Sequence, residues 1–175
     1  MEALITFALN FIYSSATLAL IVLGLAMVFG LLGVMNMAHG EFVMLGAYSA
    51  YVVQSLGLNF IWAVPISILV CVIVGWFMEW SIIRHLYKRP FDTLLATWGV
   101  AILIRKGVEV IFSRDYKSVN QVMPGTVDLF GITYPSYRLV LVAIILCLFT
   151  VLFLWYQKSK TGLRIKAMVQ NPELA

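Results

Sequence analysis

Charged side chains are almost absent from the first half of this chain. Between Glu2 and Glu79 the only Asp, Glu, Lys or Arg is Glu41, which leaves the neutral stretches Ala3–Gly40 and Phe42–Met78. A helix that spans a membrane needs about 20 mostly apolar residues. The first stretch therefore has room for one spanning helix and the second has room for two, and neither has the polar residues that a water-facing surface requires.

The composition of the whole chain indicates the same class of protein. Hydrophobic residues make up 62% and charged residues 11% of its 175 residues, whereas soluble domains are about 45–50% apolar and about 25% charged. These figures exclude a soluble enzyme, a disordered chain, a disulfide scaffold and a nucleic-acid-binding domain. The net charge of +4 does not indicate nucleic acid, because the basic residues form short clusters beside apolar runs. We expect an all-α, polytopic membrane helix bundle.

Five spanning helices are predicted from the apolar runs. They are Thr6 to Gly33, Glu41 to Leu56, Phe60 to Trp80, Phe91 to Phe112, and Arg138 to Tyr156. The second is short, so we expect it to tilt, to start earlier through the segment 36–39, or to enter the membrane as a broken helix.

Short loops rich in Lys and Arg orient the helices, because such loops stay in the cytoplasm. The link 84–90 holds three basic residues and the tail 157–166 holds four. Both are predicted to be cytoplasmic, and the turn-rich segment Ser113–Tyr137 between them is predicted to face outside. Counting back through the spans places the N-terminus outside and Asn36–Glu41 at the cytoplasmic end of the first two helices.

Asn36, His39 and Glu41 concentrate polar groups within the most apolar half of the chain. A His or Glu at membrane depth is costly unless it is paired or hydrated, which makes it a candidate for function. The alternative is a helix–helix connection at the interface, in which His39 caps backbone groups. A metal site or an acid–base site is not expected, because zinc needs several ligands and no second His or Cys cluster is present.

Three charged residues, Arg105, Lys106 and Glu109, interrupt the fourth predicted span. At spacings of three and four residues they share one helix face, where Glu109 is expected to pair with both cations. The face is interpreted either as an interfacial helix end, with Arg105 reaching the outer surface, or as the lining of a substrate path.

Small residues occur within the first, second and fourth predicted spans, where they let helices approach closely. They are Gly24, Gly30, Gly46, Ala47, Thr97 and Gly99. A path for a small polar solute would use the same glycines and hydroxyls, so the two roles do not exclude each other. No Gly-x-x-x-x-Gly-Lys-Ser/Thr sequence is present, so any ATP that drives this protein is expected to be hydrolysed by another subunit.

Three sequence blocks resemble the branched-chain amino acid permease family of bacterial ABC importers. They are Gly24–Tyr48, Arg89–Gly99, and Thr161–Arg164 leading to Gln170–Asn171. The sequences Thr97-Trp98-Gly99 and Gln170-Asn171 are more similar to the urea or short-chain amide branch of the family than to transporters of leucine, isoleucine and valine.

The resemblance implies a multi-pass permease subunit of the bacterial inner membrane that is not itself an enzyme. Its implied partners are a second related permease, two cytoplasmic ATPases that use the ATP, and an extracytoplasmic solute-binding protein. Family members are longer, so residues 1–175 are expected to be the N-terminal part of a single transmembrane permease domain. No cofactor is expected on this chain.

The residues selected as lining or shaping the solute path are Asn36, His39, Glu41 and Thr97. Two other functions stay open on the sequence. One is a passive channel or secondary transporter for a small polar solute, which needs no ATPase. The other is an intramembrane enzyme that uses His39 and Glu41, which the absence of a nucleophile or metal set disfavours.

Overall fold

The structure, a computed structural model, describes residues 2–32, 36–86, 89–120, 125–129 and 131–158. Five long helices in this part of the chain confirm the predicted all-α membrane bundle. They are α1 (Glu2–Leu32), α2 (His39–Ser55), α3 (Ala63–Met78), α5 (Pro90–Phe112) and α6 (Ser136–Lys158). The predicted end at Gly33 and the basic residues Lys88, Lys160, Arg164 and Lys166 lie outside the described residues.

Helix α3 is the central part of a longer helical stretch. The 3-10 turn Phe60–Trp62 precedes it, and the π-helical segment Glu79–Ile83 and the short helix α4 (Arg84–Leu86) follow it. The stretch Phe60–Leu86 has 27 residues and, with Glu2–Gly30 and Ser136–Lys158, is long and apolar enough to cross a membrane. Helix α2 has 17 residues, and α5 carries several charged residues, so neither belongs to that group by length and composition.

Residues 21–122 form one compact unit, here called the central unit. In it α2 runs antiparallel to α3, since Ala38 packs with Met78 at one end and Phe42 lies against Gly75 further along. Helix α2 runs parallel to α5. The Met37 N–H, just before α2, donates a hydrogen bond to the Thr97 hydroxyl of α5, and further along both helices the rings of Tyr48 and Phe112 are in contact. The core of this unit contains Ala38, Met78, Val100 and Ala101.

The second compact unit consists of residues 1–20 and 123–175. It contains a hairpin that the turn-rich interpretation of Ser113–Tyr137 did not include: β1 (Thr126–Leu129) pairs antiparallel with β2 (Ile132–Pro135). Gly131, in the connection, has a φ of 83°, a conformation that glycine adopts without a Cβ clash.

Arg138 joins three elements of this second unit. Its guanidinium donates to Asn10 Oδ1 at 2.6 Å and to the Tyr137 hydroxyl at 3.0 Å, and it lies 5.2 Å from the ring centroid of Tyr13. The buried Tyr134 of β2 donates to the same Asn10 oxygen at 3.3 Å. Charge-assisted hydrogen bonds and cation–π contacts therefore connect α1, the hairpin and α6.

Candidate functional site

The start of helix α2 lies level with the middle of the Phe60–Leu86 stretch. The Phe42 ring would be 3.6 Å from a Cβ placed on Gly75, and Cys71 Sγ donates to the Phe42 carbonyl at 3.7 Å. Residues 71 and 75 lie near the centre of that stretch, so about 12 Å of helix continues beyond Met78 at 1.5 Å per residue. The segment 36–42 therefore lies beside residues 71–78 of that stretch, and its predicted position at the cytoplasmic end of the first two helices stays a prediction. Helix α2 itself begins at His39, in agreement with the expectation that it starts earlier through the segment 36–39.

Asn36 forms the turn that leads into α2. Its side-chain Oδ1 accepts a hydrogen bond from the Ala38 N–H at 3.0 Å, and its carbonyl accepts one from the His39 N–H at 3.3 Å. An Asn that bonds the backbone two residues later produces a tight turn. The turn places Ala38, which is fully buried, in the core between α3 and α5.

Thr97 attaches this turn to helix α5. Its buried hydroxyl accepts from the Met37 N–H at 3.2 Å and donates to the Leu94 carbonyl at 2.9 Å. One turn earlier, the equally buried Thr93 donates to the Leu86 carbonyl at 2.8 Å. Sequence reasoning missed Thr93, although its spacing of four residues from Thr97 places both hydroxyls on one face of the helix.

His39 contacts helix α1. Its Nε2 lies 3.0 Å from the Ile21 carbonyl, so this nitrogen carries the proton that the carbonyl accepts. Gly24 makes room for the ring, because a Cβ there would be 3.1 Å from His39 Cε1. The predicted close approach at Gly24 is confirmed, whereas a Cβ added at Gly30, Gly46 or Gly99 would meet no atom of the described residues within 4 Å.

Glu41 forms an ion pair with Arg105 of α5. The Glu41 side chain is 7% exposed and the Arg105 side chain 62% exposed. Glu41 also lies in the first turn of α2, where the positive end of the helix dipole favours a carboxylate. The prediction that Glu109 would pair with both Arg105 and Lys106 is half right: Lys106 pairs with it at 2.8 Å, but its second partner is Arg114 at 3.3 Å.

The four residues selected from the sequence, Asn36, His39, Glu41 and Thr97, all lie around the start of α2. Arg105 is the additional charged residue there, and only the fold could identify it as the partner of a residue 64 positions away. Within the described part of the chain, no group of three or more His, Cys, Asp and Glu side chains is arranged to hold a metal ion. The chemistry that this arrangement offers is hydrogen bonding and a charged pair between α2 and its neighbouring helices.

Several apolar helices of spanning length define a polytopic membrane protein. The family described as the branched-chain amino acid transport system permease component matches residues 7–175. The chain belongs to this family, as the three sequence blocks indicated.

Two curated relatives have related descriptions. The high-affinity branched-chain amino acid transport system permease protein BraD of Pseudomonas aeruginosa is 27% identical over 177 residues, covering 89% of this chain and 56% of BraD. The corresponding protein LivH of Salmonella typhimurium is 24% identical over 181 residues, covering 95% of this chain and 59% of LivH. The chain thus spans somewhat more than half the length of these relatives. No solved structure matches it.

Proposed function

We propose that the complete subunit containing this chain is the permease of an ATP-driven ABC importer in the bacterial inner membrane. The observation that carries this proposal is the family match over residues 7–175. Curated relatives that match most of this chain have names describing permeases for branched-chain amino acids. The apolar helices of spanning length support a multi-pass membrane position.

The proposed solute path passes the start of α2, with Asn36, His39, Glu41 and Thr97 lining or shaping it. Polar groups at mid-height of a bundle are placed where a solute can replace lost water contacts. Asn36 and Thr97 contribute by holding the turn through the backbone. His39 and Glu41 contribute by fixing α2 to α1 and α5.

The proposed partners are a second related permease, two cytoplasmic ATPases and an extracytoplasmic solute-binding protein. The exposed basic side chains Arg84 and Arg89, beside the ends of α4 and α5, support a cytoplasmic position for that link. With the link inside, the N-terminus and the β1–β2 hairpin are proposed to face the binding protein outside.

Two solute classes are proposed for the importer. Branched-chain amino acids are supported by the names of the relatives. Urea or a short-chain amide is supported by the Thr97-Trp98-Gly99 sequence, which resembles that branch of the family. Both solutes are small and carry an sp2 oxygen that accepts hydrogen bonds.

Uptake by cells tests the function and separates the solutes. A strain that lacks the gene should lose uptake of radiolabelled leucine or of radiolabelled urea, and the complete gene should restore it. The same gene, expressed with an ATPase whose nucleotide-binding lysine is replaced, should not restore uptake. Uptake that persists with the inactive ATPase would instead support a passive channel or secondary transporter. If uptake of both solutes is unchanged by the deletion, the proposed substrate classes are wrong.

A further inference from the structure

The guanidinium of Arg105 is only partly used by its ion pair. Its Nη2 donates to Glu41 Oε1, whereas Nε and Nη1 have no partner among the residues that the structure describes. Glu41 is enclosed, but the Arg105 side chain is 62% exposed. The pair therefore presents the free N–H groups of the cation outward and keeps the carboxylate behind them.

The depth of this pair restricts what lies in front of Arg105. Glu41 precedes Phe42, which packs against Gly75 near the middle of the Phe60–Leu86 stretch. Unpaired N–H groups of a cation are costly in hydrocarbon, so charged residues at this depth face water, a polar ligand or protein. The Arg105 face of α5 is therefore not a surface for lipid tails.

Exposed apolar side chains lie beside the guanidinium on the same face of α5. Ile102 and Trp98 precede Arg105 by three and seven residues, and are 44% and 56% exposed. These spacings align side chains along one helix face. The surface thus combines hydrogen-bond donors with an aliphatic and an aromatic group, which suits a small solute that has an acceptor oxygen at one end.

We propose that Arg105 binds the carboxylate or carbonyl oxygen of the transported solute, and that Glu41 is the positioning residue that holds the guanidinium in place. Guanidinium N–H groups bind carboxylate oxygens in pairs and also donate to neutral carbonyls. Trp98 and Ile102 contact the aliphatic part of a solute that has one. This inference rests on the proposed permease function and adds the solute contact.

The experiment uses the complete transporter in proteoliposomes, with ATPase and binding protein, and compares uptake rates of leucine and urea. Arg105→Gln should lower the uptake rate roughly tenfold or more, the effect of losing one charge-assisted hydrogen bond. Lys106→Gln is the matched control: it removes the neighbouring cation, whose partner is Glu109, and should leave the rate unchanged. Trp98→Ala should lower leucine uptake but not urea uptake.

A charge reversal, Glu41→Arg with Arg105→Glu, separates solute binding from structural pairing. It retains an ion pair between α2 and α5 but moves the guanidinium to the enclosed position. We expect the assembled double variant to stay inactive. Restored uptake would overturn the proposal, since pairing alone would then be sufficient.

A second variant covers the case in which Arg105→Gln fails to assemble. Arg105→Lys keeps the cation but not the planar set of donors, and should assemble and transport more slowly than the wild type. Wild-type uptake by either assembled variant would overturn the solute contact. Loss of the second permease from purified Arg105→Gln would overturn it as well, because Arg105 would then be a subunit contact. Wild-type transporter that moves neither solute would instead overturn the proposed function.

Discussion

Replacing Thr97 by valine should destabilise the central unit by about 1–2 kcal/mol. Valine keeps nearly the same volume but removes the oxygen that accepts the Met37 N–H at 3.2 Å. Leaving a partly buried backbone donor without an acceptor costs about 1–3 kcal/mol in proteins, and hydrogen bonds inside membrane proteins fall toward the lower end of such values. Because Thr97 itself is fully buried, water does not take the place of the lost hydroxyl.

The measurement is the free energy of unfolding of the purified subunit in a denaturing-detergent titration. Thr150→Val is the matched control. Within the part of the chain that the structure describes, Thr150 donates only to the Leu146 carbonyl of its own helix, so we expect a change below about 0.5 kcal/mol. Thr97→Ser keeps the hydroxyl and should cost about 0.8 kcal/mol for the lost methyl group. If Thr97→Val proves as stable as Thr150→Val, the Met37–Thr97 bond does not fix the turn.

Two further contacts in the central unit give predictions of their own. Gly24→Ala should lower the unfolding midpoint, because its Cβ would lie 3.1 Å from His39 Cε1. Gly30→Ala should not lower it, because no atom of the described residues lies within 4 Å of a Cβ there. Equal midpoints would contradict this packing. Gln54→Ala should accelerate amide hydrogen exchange at Asn120, whose N–H donates to Gln54 Oε1 at 2.8 Å. Gln54→Glu keeps that acceptor and should exchange more slowly than Gln54→Ala, so identical rates would exclude this contact.

The helices could be predicted from the sequence because each long apolar run has one stable form in a membrane. A backbone without water must satisfy its own hydrogen bonds, and a single chain segment does so as a helix. The hairpin 126–135 was not predicted, because strands of four residues are too short for a clear alternating pattern. Its turn formers were recognised, but they indicate a change of direction and not the pairing of strands.

The location of the candidate site could be predicted, but the partners in it could not. The rarity of charge singled out Glu41, and the spacing rule for helices correctly paired Lys106 with Glu109. The same rule assigned Arg105 to Glu109, because the rule considers only residues three or four positions apart on one helix. The actual partner is Glu41 on another helix, and that pairing depends on α2 and α5 running parallel from different starting heights.

Helix α2 begins beside the middle of its neighbouring helices, and this explains much of the site. The first N–H groups of a helix have no acceptor within it and need one from outside the helix. Acceptors from the turn and from α5 reach the N–H groups of Met37, Ala38, His39 and Glu41. Asn36 and Thr97, which the sequence offered as path residues, provide several of these acceptors. They therefore fix the turn that precedes α2, and the helix that follows places Glu41 next to Arg105.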